Sequence, residues 1–318
     1  MEATIYEMKL LVEADSMTPF PDVFIFAGGS DKRAYESLRL LSAKSLLPQT
    51  QLMFEFQERL AGVKPKDEYF DYSNVLPHAP IKIQCSLSLP DSSLPDLTKH
   101  SHLFEHASIG LDISCFSKPY FFYILRYLKS QLEVAELKVF YTEPMSYLFP
   151  GGLATSYRSS LGPLKVLEMP GYAGAESRGQ KRTLVLLLGF DGDISREIGE
   201  DVSPNEMIAV NGFPGYMPKF KDISLILNEK LIGMEGVHLK YGPANNPFEI
   251  YNLLSKIHDD TADTFLNIAP IGTKPMALGA CLFALHHPAT RVVYPFPRSY
   301  EKVTTEYCWN TWFYTVSL

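Results

Sequence analysis

The amino-acid sequence predicts an α/β protein of two Rossmann-like halves, each a doubly wound parallel sheet, related by internal duplication and a pseudo-two-fold axis. The first observation is that short, continuous apolar runs alternate with helical patterns, as buried parallel strands alternate with crossover helices. The second is that two motifs occur twice in the same order. The sequence "SKP" at Ser117 returns as "TKP" at Thr273, and "YTEPMSY" at Tyr141 returns as "YPFPRSY" at Tyr294.

The first half contains five strand-like runs, separated mostly by segments with helical periodicity. Because the runs are short and rich in large apolar residues, we predict a sheet that is buried on both faces. The predicted strands, some with the loop that follows, are "DVFIFAGGS", "QLMFEF", "PIKIQCSL", "LDISCFSKP" and "LKVFYTEP", and the predicted helices are "RAYESLRLLSAK", "SLPDLTKHSHLFEHAS" and "YFFYILRYLKSQL".

The second half repeats this alternation. Asn246 before Pro247 predicts a helix N-cap with proline in the first turn. The predicted strands are "RTLVLLLGF", "EMIAV", "VHLKY", "TFLNIAPIGTKP" and "TRVVYPF", and the predicted helices are "DGDISREIGEDV", "DISLILNEKLIG", "NPFEIYNLLSKI" and "MALGACLFALHH".

These elements predict a domain organisation with a long connection in the middle. We assign residues 18–147 to the N-terminal half and residues 180–318 to the C-terminal half with a C-terminal tail. Residues 148–179 are rich in Gly, Ser and Pro and form the connection, with one expected strand in "LKVLEM". Structureless loops of this length are usually functional or mobile.

Composition excludes several classes of protein. The net charge is −7 without a basic stripe, so we expect no general nucleic-acid binding, although a few fixed groups can still hold a small anion. No apolar segment reaches the roughly 18 residues that cross a bilayer, so we expect no membrane association. The four cysteines are far apart and in apolar surroundings, which predicts reduced thiols and a cytoplasmic protein.

The two Ser/Thr-Lys-Pro motifs are the leading candidates for ligand contacts. Each follows a predicted fourth strand and opens a helix, where unpaired N–H groups and the helix dipole favour an anion. Ligands of open parallel sheets bind beyond the carboxyl ends of the strands. Ordinary helix capping with the lysine in solvent is the alternative interpretation. The candidate contacts at this position are Ser117 and Lys118 in the first half and Gly272, Thr273 and Lys274 in the second.

Other polar residues gather at the predicted ends of strands one and five. "GGSDKR" lacks the spacing of a phosphate-binding glycine loop, so Gly28 and Gly29 are best explained by a tight turn. Asp191 would repel phosphate unless a cation intervened. Phe116 stands where the second half has Gly272, and a bulky ring there would limit how closely a phosphate approaches the backbone. The further candidate contacts are Ser30, Lys32, Arg33, Gly189, Asp191, Tyr141, Tyr294 and Arg298.

Catalytic and metal patterns are weak. "HLFEH", from His102 to His106, has the HxxEH spacing of one class of zinc peptidase, but it lies in a predicted crossover helix, and a solvated helix face explains it better. No GxSxG elbow or cysteine–histidine pair is present. Glu143 follows strand five of the first half, where a general base could act, but its counterpart Phe296 is apolar. We therefore predict no metal and no cofactor, and name no catalytic residue.

The strand followed by "PIGTKPMALGACLFAL" resembles the CARF family, the Rossmann-like sensor domains of CRISPR-associated proteins. Two such units in one chain resemble the related SAVED domains of antiphage signalling. The resemblance implies that a cyclic oligonucleotide binds across a two-fold axis, at the carboxyl ends of the strands. It implies contacts from Ser117, Lys118, Thr273 and Lys274. Those sensors usually carry an effector domain, and this chain shows no motif of one, so a partner protein would supply it in trans.

Three classes of function remain open. The first is a binding or sensor protein for a nucleotide-like phosphate ligand, such as a cyclic oligonucleotide, in a cleft between the halves and in antiviral defence. The second is an enzyme that acts on such a ligand, a phosphodiesterase or ring nuclease. The third is a structural partner subunit with a vestigial pocket. The sequence does not name the ligand or the oligomeric state.

Overall fold

A computed structural model of the chain describes residues 7–14, 20–29, 31–56, 72–86, 89–131, 133–147, 160–161, 165–296, 299–300 and 305–318. The chain divides into two compact units. Unit 1 comprises Met1–Leu148 and Glu301–Leu318, and unit 2 comprises Phe149–Tyr300. Unit 2 is therefore inserted between two segments of unit 1.

Unit 1 has a parallel core with the strand order β4-β3-β2-β5-β6. Its strands carry the apolar runs of the first half, and the central strand β2 is buried along its whole length. The bounds are β1 Glu7–Leu10, β2 Val23–Ala27, α1 Arg33–Ala43, β3 Thr50–Phe56, β4 Ile81–Cys85, α2 Leu94–Lys99, β5 Ser108–Asp112, α3 Lys118–Gln131 and β6 Glu136–Tyr147.

Unit 2 has the same parallel order in its core, β11-β10-β9-β12-β13, with β8 antiparallel to β13 at the edge. The strands β7 and β14 form a separate two-stranded ribbon. The bounds are β7 Ser160–Leu161, β8 Lys165–Glu168, β9 Lys181–Leu187, α4 Gly192–Val202, β10 Glu206–Gly212, α5 Pro218–Leu227, α6 Glu229–Ile232, β11 Val237–Gly242, α7 Pro247–Asp260, β12 Thr264–Pro270, α8 Lys274–His286, β13 Arg291–Phe296 and β14 Ser299–Tyr300.

The predicted fold class is confirmed, because both units are α/β sheets with one shared strand order. The repeated Tyr-x-x-Pro motifs begin in β6 and β13, which are the fifth strands of their sheets. The expected strand in "LKVLEM" is β8, and the expected N-cap is present, because Asn246 Oδ1 accepts from Phe248 N at 3.0 Å. The N-cap and the apolar runs are local features, which is why the sequence predicts them.

The C-terminal strand β15 (Thr305–Val316) differs from the expectation that residues 180–318 form one half with its tail. It pairs antiparallel with β6 from Tyr147 to Leu137 and antiparallel with β1 on its other side. It therefore completes the sheet of unit 1. The physical reason is burial, because Phe313 of β15 is fully buried in the aromatic core around Phe140.

The expected helix "SLPDLTKHSHLFEHAS" is broken into a short 3₁₀ turn, the six-residue helix α2 and a second 3₁₀ turn at Ser101–Leu103. His106 has a φ of 56°, which is incompatible with a helix. The "HLFEH" residues therefore do not share a helix face, and the zinc geometry that the spacing suggested is absent. Among the described residues, no group of three or more His, Cys, Asp or Glu side chains is arranged to hold a metal ion.

Helix α8 forms the centre of the unit 2 core. It is apolar all round, from Pro275 to Leu285, and such a helix is stable only when it is covered on every side. It packs against α7 at close range, because a Cβ atom at Gly279 would lie 2.4 Å from the carbonyl oxygen of Pro247. This packing fixes the position of the first turn of α8 at the carboxyl end of β12.

The four cysteines are thiols and form no disulfide, with Cys85 and Cys281 buried and Cys115 and Cys308 half-buried. Within the described segments, no helix combines the length and the apolar character that crossing a bilayer requires.

The buried aromatic ring of β15 gives the first testable prediction. Phe313→Ala should lower the free energy of unfolding of unit 1 by about 3–5 kcal/mol, because it removes a fully buried ring and leaves a cavity. Trp309→Ala on the same strand is the control, since Trp309 is 51% exposed and its loss should change stability by about 0.5 kcal/mol or less. Urea unfolding followed by circular dichroism measures both. Equal stability of the two variants would show that β15 does not hold the core of unit 1.

Candidate functional site

The carboxyl edge of the unit 2 sheet contains the point where the strand order reverses. From β9 the chain runs outward to β10 and β11, and it then returns to β12 on the other side of β9. The loops after β9 and β12 are therefore neighbours. Ligands of open parallel sheets bind at this kind of position. This edge brings together Gly189, Asp191, Gly272, Thr273 and Lys274 from the predicted site residues.

The two loops at the reversal point touch through their backbones. A Cβ atom at Gly189 would lie 2.6 Å from the carbonyl oxygen of Ile271, and one at Gly272 would lie 2.9 Å from the carbonyl oxygen of Leu188. Both distances are too short for any side chain. The two glycines are therefore explained by contact between the loops, which closes the gap directly above β9 and β12.

Thr273 holds its loop in place through its side chain. Its hydroxyl accepts a hydrogen bond from Met276 N at 3.3 Å as the N-cap of α8, and it donates one to the carbonyl oxygen of Ala244. A hydroxyl has a single proton to donate, so this proton is not available to an anion. Thr273 is therefore a positioning residue, and the half-buried Lys274 begins the helix directly after it.

Two backbone carbonyls connect the loops of this edge. The carbonyl oxygen of Ala244 accepts from Thr273 and also from Tyr216 OH at 3.1 Å. The carbonyl oxygen of Gly189 accepts from Ser224 Oγ at 3.1 Å and Asn228 Nδ2 at 2.9 Å. Sequence reasoning missed these residues, because the acceptors are backbone atoms that every residue carries.

Asp191 closes the first turn of α4 to anions. Its Oδ1 accepts from Ile194 N at 3.1 Å, so the carboxylate occupies the N-terminus of that helix as its cap. The start of α4 is also covered by α5, since a Cβ atom at Gly192 would lie 1.8 Å from the carbonyl oxygen of Leu227. The repulsion expected from Asp191 thus acts at the start of α4.

The equivalent position in unit 1 has a different environment. Ser117 precedes α3, and its buried Oγ has no hydrogen-bond partner among the described residues. Phe116 is 1% exposed, and its ring packs 5.1 Å from Phe54 and 6.1 Å from Tyr120, measured between centroids. The ring points into the core, so the expected obstruction of a phosphate by Phe116 is not observed. Lys118 is half-buried at the first position of α3.

The loop after β2 holds an ion pair instead of free cations. The guanidinium of Arg33 contacts both carboxylate oxygens of Asp31, with Nη2 to Oδ2 at 2.8 Å and Nε to Oδ1 at 3.2 Å. Thr305 Oγ1 donates to the same carboxylate at 3.1 Å. The charge of Arg33 is thereby compensated within unit 1, whereas Lys32 is exposed. Ser30 and Arg298 lie outside the described residues.

This environment shifts the pKa values of both partners. Burial opposes the charged form of Asp31, but the charge and hydrogen bonds of Arg33 and the Thr305 hydroxyl outweigh it, so the pKa of Asp31 is lowered from 3.8. Burial also opposes the charged form of Arg33, and the Asp31 carboxylate outweighs it, so its pKa is raised well above the usual value. Both groups are charged at neutral pH.

Tyr141, Tyr294 and Glu143 lie within strands and not in loops beyond them. Tyr141 of β6 is opposite Trp312 of β15, and Tyr294 of β13 is opposite Leu167 of β8. Glu143 is 2% exposed, and it accepts from Trp312 Nε1 at 2.8 Å. For β6 the antiparallel strand β15 explains the difference, because it extends the pairing to Tyr147, past the expected strand end at Pro144. A buried, hydrogen-bonded Glu143 does not fit the general base that the sequence suggested.

A cavity of about 240 Å³ opens at the opposite, amino-terminal edge of the unit 2 sheet. Its lining includes Glu200, Glu206 and Glu235 beside Arg196, and otherwise mainly small or apolar side chains. Three carboxylates beside one guanidinium oppose an anionic ligand. The cavity therefore does not contribute to the anion site at the carboxyl edge.

Comparisons with known proteins add no family. No protein-family model matches this chain, and no curated protein sequence does either. A universal stress protein from Archaeoglobus fulgidus DSM 4304 aligns with a TM-score of 0.22 and 10% identity, over 88% of this chain and 97% of that chain. A keto acid-selecting NRPS module with adenylation, ketoreductase and pseudo Asub domains aligns with a TM-score of 0.24 and 11% identity, over 89% of this chain and 30% of that chain. Superpositions this loose carry no argument about function.

The positioning role of Thr273 can be tested by its stability effect. Thr273→Ala removes the N-cap and the bond to Ala244, so the free energy of unfolding of unit 2 should fall by about 1–2 kcal/mol. Thr273→Ser retains the hydroxyl and should unfold like the parent. Thermal and urea unfolding of both variants provides the measurement. An alanine variant as stable as the parent would contradict the positioning role.

The Asp31–Arg33 pair predicts a dependence of stability on pH. A carboxylate with a lowered pKa in the folded state stabilises the fold above its unfolded pKa, and this contribution disappears as pH falls through the folded pKa. Asp31→Asn should therefore be less stable at pH 7 by about 3 kcal/mol, the lower end for a buried pair, since 23% of the Asp31 side chain is exposed. Its stability should also vary less steeply with pH below 3.8 than that of the parent.

The control for the loss of one negative charge is Asp222→Asn, because the Asp222 side chain is 61% exposed. Urea unfolding between pH 2 and pH 7 should give parent-like curves for this control. If the free energy of unfolding changed with pH to the same degree in Asp31→Asn and in the parent, the ion pair would not make stability depend on pH.

Proposed function

We propose that this protein binds a nucleotide-like phosphate ligand at the carboxyl edge of the unit 2 sheet and acts as a sensor of that ligand. The specific candidate is a cyclic oligonucleotide, and the setting is antiphage defence, with an effector protein supplied in trans. Both come from the resemblance to CARF and SAVED domains.

The observation that carries the proposal is the position of the first turn of α8. The 13-residue helix begins at Lys274, beside the reversal of strand order. The partial positive charge of the helix start and the lysine ammonium favour an anion at the same place. The hydrogen bonds of Thr273 and Tyr216 to Ala244 hold this edge in a fixed geometry, which reduces the entropy lost when a ligand binds.

The second candidate contact is Lys118. It begins the 14-residue helix α3, at the equivalent place in the sheet of unit 1. The proposal therefore extends to Lys118 as a contact for the same class of ligand. Arg33 is excluded from it, because its guanidinium is held by Asp31. We expect the stronger contribution from Lys274, the first residue of α8.

Binding measurements on lysine variants test the proposal. Lys274→Ala should weaken the binding of phosphate ligands by about ten- to a hundredfold, since charge-assisted contacts contribute about 1.5–3 kcal/mol. Lys118→Ala should weaken it by a similar or smaller factor. Calorimetry with AMP, ATP, cyclic di-AMP and cyclic tri-AMP provides the affinities. Melting temperatures should stay unchanged or rise, because positive charge at a helix N-terminus is slightly unfavourable.

Lys256→Ala is the matched control, because Lys256 is an exposed lysine on α7 away from the first turn of that helix. Parent-like binding by both Lys118→Ala and Lys274→Ala would reject the site. The absence of binding by the parent protein would favour a structural subunit with a vestigial pocket. Chromatography of the ligand after incubation with the protein distinguishes binding from turnover. A cleaved product would show that the protein is a phosphodiesterase or ring nuclease and not a sensor.

A further inference from the structure

Two large aromatic side chains are exposed side by side at the carboxyl edge of unit 2. Phe213 follows β10 and is 51% exposed, and Tyr241 of β11 is 49% exposed. Their ring centroids lie 6.2 Å apart with an interplanar angle of 77°. Gly212 and Gly242 are paired in register between the two strands, and Phe213 N donates to the carbonyl oxygen of Gly242 at 2.7 Å. The backbone therefore fixes the pair at the strand ends.

A lysine completes this surface. The Nζ atom of Lys221 lies 5.3 Å from the centroid of the Phe213 ring, within the range of a cation–π contact. The same ammonium lies 3.2 Å from Asp222. The exposed aromatic pair is a flat apolar surface, which is suited to stacking with an aromatic ring. Asp222 offsets the charge of Lys221, so this surface favours the aromatic ring of a ligand and not its phosphate.

The aromatic pair lies on the same edge as the first turn of α8. In the sheet, β9 separates β10 from β12 and β11 is one strand farther away, so the two rings lie on strands two and three spacings from β12, about 10 and 15 Å. The shorter separation is comparable to the length of a nucleoside monophosphate from phosphate to base. The carbonyl oxygen of Ala244 connects the two regions, because it accepts from Tyr216 of the loop after β10 and from Thr273 before α8.

We infer that Phe213 and Tyr241 form a stacking platform for the base of a purine nucleotide whose phosphate lies at the first turn of α8. The inference rests on the proposed function, since it assigns the base position of the same ligand. Stacking on an aromatic side chain recognises the flat face of a base and does not require hydrogen bonds to its edge. Because purines offer the larger face, the platform favours a purine base and does not distinguish adenine from guanine.

Alanine variants and a base-free probe separate stacking from phosphate binding. Phe213→Ala and Tyr241→Ala should each weaken the binding of AMP, ATP and cyclic di-AMP by about five- to a hundredfold. Inorganic tripolyphosphate has no base, so its affinity should stay at the parent value. Phe213→Trp retains a stacking ring and should bind at least as tightly as the parent. The fluorescence of the introduced tryptophan, obtained by subtracting the spectrum of the parent, should be quenched by nucleotides and not by tripolyphosphate.

The control is Trp309→Ala, which removes a 51% exposed aromatic side chain from unit 1 and should leave all affinities unchanged. The platform is rejected if the alanine variants bind nucleotides as tightly as the parent does. It is also rejected if their affinity for tripolyphosphate falls by the same factor as their affinity for nucleotides. Weaker nucleotide binding in Phe213→Ala but not in Lys274→Ala supports the platform and rejects the phosphate position. The reverse pattern rejects the platform alone. If the parent binds no nucleotide, both proposals fail.

Discussion

The antiparallel pairing of β15 with β6 is the interaction on which the rest of the structure depends. It joins the two ends of the chain in one sheet and places β15 between β6 and β1. Buried polar contacts fix its register, with the hydroxyls of Thr142 and Thr311 at 2.9 Å and the Trp312 indole on Glu143. Because the Thr142–Thr311 contact is buried and the Trp312–Glu143 contact is partly buried, a shift of one residue would leave polar groups without partners. Unit 1 is complete only with this strand.

The two units receive their antiparallel strands by a reciprocal arrangement. After the first parallel core and the two-residue strand β7, the next strand along the chain is β8, which joins the sheet of unit 2. After the second core and the two-residue strand β14, the next strand is β15, which joins the sheet of unit 1. In each case the added strand pairs with the fifth strand of the parallel core. The duplicated unit is therefore a five-stranded core with a trailing strand, and the trailing strands are exchanged between the sheets.

The local features of this fold could be predicted from the sequence, and the long-range ones could not. Apolar runs identified the strands, and the Asn246 cap was visible because its hydrogen bonds stay within one turn. The sheet that β15 joins was not predictable, because its partner β6 lies far away in the sequence. The break at α2 was missed because tertiary packing buries Phe104 and overrides the helical pattern.

The candidate site shows the same division. The position of Lys274 followed from the motif, but the role of Thr273 depends on where its proton points, and a carbonyl acceptor has no sequence signature. The ion pair between Arg33 and Asp31 could not be predicted from the charges alone, because it depends on the geometry of the loop. Phe213 and Tyr241 were overlooked, although "NGFPGY" places an aromatic residue between glycine and proline in a loop, where it has little core to enter.

The insertion of unit 2 into unit 1 also determines the order in which the units can fold on the ribosome. Translation produces every strand of unit 2 before it reaches β15, and about 150 residues at roughly 5–20 per second separate β6 from its partner. During that interval the edge of β6 has no antiparallel neighbour, and such an edge is a template for pairing with other chains. The sheet of unit 1, although most of its strands are synthesised before unit 2, is completed only when β15 has been made, so β15 protects a strand edge that was synthesised much earlier.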